Sequence, residues 1–143
     1  MGMDTDRNGR SSQRQFDAIN EYGIHSRKED NMKRFGWVIG LKEDKLDEYK
    51  KLHADVWPDV LNMISQCRFT NYSIYLRKLP DGKYYLFSYL EYTGRDFEAD
   101  CAKMAADETT QKWWDVCKPC QEPLDSRAQG QWWADMEEVF HCD

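Results

Sequence analysis

The stretch NYSIYLRKLPDGKYYLFSYLEY, residues 71–92, decides the fold. Tyr72, Ile74 and Leu76 alternate with Ser73, Tyr75 and Arg77, the period-two pattern of a strand with two unlike faces. Pro80, Asp81 and Gly82 then punctuate the run: proline presets a turn dihedral, aspartate bonds its own backbone, and glycine accepts a positive φ. Tyr84 to Tyr92 resumes the strand pattern, so the two runs pair as a β-hairpin.

On the N-terminal side, Phe35, Trp37, Ile39 and Leu41 alternate as a first strand. Lys42 to His53 changes to helical spacing, with Leu46, Tyr49, Lys50 and His53 in register. Pro58 stops that helix and suits the first turn of a second, whose apolar side is Val60, Leu61 and Ile64. On the C-terminal side, Thr93 to Asp96 caps a helix bearing Phe97, Cys101 and Met104, and Asp107 caps another turn carrying Trp113 and Trp114. Residues 119–130 have no period and read as a loop. Trp132 to His141 reads as a last strand. The order is strand, helix, strand, strand, helix, strand: an α+β, ferredoxin-like βαββαβ chain with an antiparallel sheet and helices on one face. The uncovered face predicts a second copy, a homodimer of the dimeric α/β barrel kind.

Residues 1–31 are polar, without period or sustained apolar content, and read as a disordered tail before a compact domain spanning 32–143. A chain of 143 residues suits one such domain. The net charge of −6 and the lack of any Lys/Arg run argue against nucleic acid. No segment has the apolar length of a membrane span and no apolar signal core opens the chain, so a cytoplasmic location is expected. The five cysteines are an odd set, against a disulfide framework. Cys117 and Cys120 have redox or half-zinc spacing, but no second ligand pair accompanies them, and they read better as two small apolar residues. His25, His53 and His141 lie too far apart to suggest a metal centre. Neither a phosphate-binding glycine loop nor a serine nucleophile elbow is present. No metal or cofactor is expected.

The densest chemical grouping is Tyr49, His53 and Trp57. Tyr49 and His53 are one helical turn apart and share a face. His53 lies near the helix end, where the macrodipole favours the protonated imidazole, and its charge can change near neutral pH. The plainer reading, which spacing alone favours, is a surface histidine capping the helix. Tyr72 and Tyr75 point to opposite faces of one strand, so one turns inward, either as core or as a phenol reaching a ligand. Trp113 and Trp114 cannot share a helix face, so one packs while the other borders a cleft. Indole faces suit the C–H-rich faces of sugars as well as ordinary cores.

These residues also carry a resemblance. Glu48-Tyr49 together with His53-Ala54-Asp55-Val56-Trp57-Pro58, then Asn71-Tyr72-Ser73-Ile74-Tyr75-Leu76, then Trp113-Trp114, then Met136-Glu137-Glu138-Val139-Phe140, resemble in order the motifs of the L-rhamnose mutarotase family. The resemblance spans about residues 32–143. It implies a ferredoxin-like dimer that interconverts the α and β anomers of L-rhamnose without a cofactor. It implies His53 as the acid/base residue and Tyr49, Tyr72, Trp113 and Trp114 as sugar contacts. The tail, the Leu79–Tyr85 hairpin and the Cys117–Trp132 connection are longer than in short members. The alternatives are action on L-fucose or another 6-deoxyhexose, and a non-catalytic dimer that binds a small ligand. The same fold also carries heme- and quinone-handling proteins, so fold by itself does not assign function.

Overall fold

The computed structural model describes residues 32–143. The tail expected over 1–31 lies outside the described residues. Strand β1 covers Lys33–Leu41, and helices α1 and α2 cover Leu46–Ala54 and Pro58–Gln66. The hairpin follows as β2, Phe69–Lys78, and β3, Tyr84–Tyr92. Helices α3, Phe97–Ala106, and α4, Glu108–Cys117, lead to two short strands, β4 at Gln121–Glu122 and β5 at Ala134–Met136. All the pairings are antiparallel, in the order β2-β3-β1-β4, with β5 also on β1. This is the ferredoxin-like arrangement with its fourth strand broken into two pieces.

Local chemistry explains each boundary. A single 3₁₀ turn, Glu43–Lys45, begins the stretch expected as helix from Lys42, a common way for a helix to start. Pro58 occupies the first turn of α2, where its missing N–H costs nothing. Asp96 and Asp107 accept from the backbone N–H of Ala99 and Thr110 at 3.1 and 2.9 Å and cap α3 and α4. In the hairpin, Gly82 takes φ +80°, and Asp81 accepts from the Lys83 N–H at 2.9 Å and from the Tyr85 hydroxyl at 2.5 Å.

Alternation sorts the sheet. Ile39, Leu41 and Leu86 are buried on one face against Tyr49 of α1, Val60 of α2 and Trp113 and Cys117 of α4, and Leu90 and Tyr92 are buried further along the same face. Burying each large apolar side chain of this set contributes about 1.5–3 kcal/mol. Phe97 of α3 extends the same face by stacking on Phe35, with ring centroids 4.5 Å apart. Val38, Tyr75, Tyr85, Phe87 and Tyr89 occupy the opposite face, where Tyr75 is 67% exposed.

The C-terminal expectation needs correction. The strand expected over Trp132–His141 is only Ala134–Met136, and residues 137–143 have no regular structure, with Val139 and Phe140 exposed. The loop expected over 119–130 contributes β4, because Leu41 and Gly40 on β1 pair with Gln121 and Glu122. The edge of β1 is thus shared between two short pieces of chain. Lys42 fixes the first through its N–H to the Cys120 carbonyl at 2.9 Å and its ammonium to the Pro119 carbonyl at 3.0 Å. Asp135 fixes the second by accepting from Trp37 Nε1 at 2.8 Å and Gln131 Nε2 at 2.6 Å. Gly40 allows the first pairing: a Cβ there would lie 2.6 Å from the Glu122 carbonyl oxygen.

Candidate active site

Helix α1 brings Tyr49 and His53 onto one face. Tyr49 is 5% exposed and part of the core, and His53 is half-buried one turn further on. Their rings stack at 4.1 Å and 26°. His53 Nδ1–H donates to the Tyr49 carbonyl at 2.9 Å. A carbonyl only accepts, so this bond places the proton of a neutral imidazole on Nδ1 and leaves the lone pair on Nε2. Burial lowers the His53 pKa from its ordinary value, against the smaller raising effect of that hydrogen bond. The macrodipole's preference for imidazolium, expected from the helix end, is therefore outweighed by desolvation.

Trp113 and Trp57 close around this pair. Trp113, 7% exposed, meets His53 edge-on with centroids 5.2 Å apart and Trp57 at 5.1 Å. Trp114 is half-buried against the core. The Lys118 ammonium lies 5.3 Å from both the Trp114 and Trp132 ring centroids, a cation held between two indoles. The tandem tryptophans thus diverge, as adjacent helical residues must.

Tyr72 lies in a bulge between Thr70 and Ser73, next to Asn71 at φ 45°. Tyr72 is 43% exposed, and desolvation raises its phenol pKa to about 12, with a smaller contribution from Cys117. Tyr72 in turn contributes to the upward shift of Tyr49, which is governed by burial. Both phenols are therefore neutral near pH 7 and can act as hydrogen-bond donors. Tyr75 lies on the other face of the sheet.

Gln121 was not marked by any motif or period. It is 6% exposed, and its Nε2 donates to the Tyr49 hydroxyl at 3.2 Å. Its Oε1 accepts from Trp132 Nε1 at 2.8 Å. Only the burial of a polar residue in an aperiodic segment distinguishes it, and burial is not visible in sequence. Cys117 and Cys120 are both buried, and burial pushes the Cys117 thiol up to about 12. The pair fills space as neutral thiols. Among the described residues no three His, Cys, Asp or Glu side chains converge as metal ligands. No helix among them is long and apolar enough to cross a membrane.

The family model for L-rhamnose mutarotase matches residues 34–142. Over 112 residues, 78% of this chain and the whole of each relative, the chain is 35% identical to an L-rhamnose mutarotase of Oceanobacillus iheyensis and 34% identical to one of Lactiplantibacillus plantarum. The Bacillus subtilis L-rhamnose mutarotase is 32% identical over the same span. In fold, the chain is similar to a crystal structure of an L-rhamnose mutarotase from Formosa agariphila, at TM-score 0.59 and 21% identity, covering 78% of this chain and 99% of that one. Tyr49, His53, Tyr72, Trp113 and Trp114, which carried the resemblance, all fall within the matched residues, and the chain belongs to the L-rhamnose mutarotase family.

Proposed function

We propose that this chain interconverts the α and β anomers of L-rhamnose, with His53 as the acid/base residue. The observation that carries the reading is the His53 imidazole: fixed through Nδ1, stacked on Tyr49 and bordered by Trp113, with its pKa lowered by burial. Mutarotation opens the ring hemiacetal. The anomeric hydroxyl gives up its proton as the bond between C1 and the ring oxygen breaks, and the ring oxygen gains a proton. Rotation about the C1–C2 bond turns the aldehyde, and the reverse transfers close the ring on its other face. His53 Nε2 suits the first proton. A protonated phenol, Tyr49 or Tyr72, or the imidazolium itself, suits delivery to the ring oxygen. Trp113 offers a flat surface to the ring while the aldehyde turns, and Trp114 contributes a further sugar contact from beside Lys118.

The reading includes a homodimer. Among the described residues no helix covers the outer face of the sheet, which has a groove lined in part by Val38, Tyr85, Phe87 and Leu124, and a second copy covers it. It also includes a cytoplasmic location, which suits five free cysteines, three of them buried.

Saturation-transfer NMR across a panel of free sugars tests the function. L-rhamnose should show the largest protein-dependent exchange between anomer signals, ahead of L-fucose. Binding without exchange would establish a ligand-holding module instead. Light scattering on the same sample should give twice the 17.1 kDa of one chain.

A further inference from the structure

The carboxamide of Gln121 is fixed by its surroundings. An indole N–H only donates, so the group facing Trp132 must be the amide oxygen. That leaves the amide NH₂ facing Tyr49, and the flipped amide would set one donor against another. The Tyr49 oxygen is consequently an acceptor in this bond, and its own proton is not used by Gln121. Among the described residues no acceptor takes that proton. The backbone holds the arrangement in place: Gln121 pairs with Leu41, and Cys120 accepts from the Lys42 N–H.

We propose that Gln121 and Trp132 are positioning residues, which keep the Tyr49 hydroxyl free to donate to a sugar oxygen. This rests on the mutarotase reading of the site. Trp132 sets the amide orientation, the amide sets the direction of the phenol, and the phenol meets the substrate. A buried relay of this kind acts as a unit, so disturbing any member is felt at Tyr49.

Gln121→Glu is nearly isosteric. It keeps an acceptor for Trp132 but replaces the donor to Tyr49 with a second acceptor, which draws the phenol proton away from the sugar. It should lower kcat for L-rhamnose exchange roughly thirty-fold with KM within about threefold. Trp132→Phe keeps a ring over Lys118 and removes only the N–H, and should lower kcat about fivefold. In a Tyr49→Phe chain, either change should lower the rate less than about twofold further, because the group they position is gone. If Gln121→Glu does not fold, the Trp132→Phe and Tyr49→Phe pair completes the same cycle. Losses that persist undiminished in the Tyr49→Phe chain overturn the proposal, since a merely structural role would produce them. Wild-type exchange by Gln121→Glu beside a slow Tyr49→Phe overturns the positioning role alone. Wild-type exchange by Tyr49→Phe overturns it together with the use of Tyr49 in the reaction.

Discussion

At one end of the helix-covered sheet face, Phe35, Phe69, Tyr92 and Phe97 pack ring against ring. At the other, Tyr49, His53, Trp57 and Trp113 do the same. The two clusters have similar ring content and similar spacings. They differ in their protons. The first cluster has one polar group, the Tyr92 hydroxyl, and it is committed to Asp100 at 2.5 Å; burial and that carboxylate raise its pKa to about 12. The second has an imidazole with one nitrogen tied to a carbonyl and the other carrying a lone pair, and a phenol whose oxygen is held while its proton is not taken. Aromatic density alone therefore does not mark a site on this sheet. A site needs hydrogen-bonding capacity that the protein itself has left unspent.

His53→Ala gives the largest expected effect. It should lower anomer exchange by about 10²- to 10⁴-fold, the usual span for a lost acid/base group. Its unfolding midpoint should stay within about 3 °C of wild type, since half-burial leaves no sealed cavity. Wild-type exchange rates would remove the distinction between the clusters.

Phe97→Ala probes the other end and should invert that pattern. Loss of a half-buried ring stacked on Phe35 and edge-on to Tyr92 should lower stability by about 2–3 kcal/mol in urea titration. Exchange per folded molecule should stay within about twofold. A large rate loss at unchanged stability would show that both ends serve the reaction.

The smallest effect is on acid stability. The His53 pKa is depressed by burial below its unfolded value of 6.5. As pH falls from 6.5 through the folded value, the unfolded chain binds the proton first, so the folded state loses stability across that window. Well above 6.5 both states are neutral and His53 adds no pH dependence. Urea midpoints compared between pH 7 and pH 5 should fall further for wild type than for His53→Ala. Equal slopes would show that the imidazole is not desolvated.

The hairpin and β1 were legible because their information is local. Period-two alternation and Pro80-Asp81-Gly82 are properties of neighbouring residues, as are the Asp96 and Asp107 caps. The fourth strand was legible only in part: β5 lies inside the expected Trp132–His141 run but is much shorter, and β4 was missed, because both exist only through pairing with β1, some eighty to a hundred residues earlier in the chain. Tyr72 is delivered by a bulge at Asn71 that no glycine or proline marks. For the same reason half of the candidate site was readable. Tyr49 and His53 are joined by helical spacing, and Trp113 follows α4. Gln121 reaches Tyr49 across 72 residues, and its contact is set by tertiary structure alone. The direction of the His53 shift was missed because a helix end is visible in sequence and the depth of its burial is not.

Gly40 has no chemistry of its own, sits in the middle of a strand, and takes no unusual turn. Its lack of a side chain lets the Glu122 carbonyl come close, and Glu122 is the immediate neighbour of Gln121. Every larger residue at position 40 must part β1 from β4 and carry the carboxamide away from the phenol. Position 40 is thus closed by the β1–β4 pairing, and, if Gln121 positions Tyr49 as proposed, by the reaction as well. Its constraint would be inherited by any variant that keeps the Gln121–Tyr49 contact, and lifted in any that abandons it.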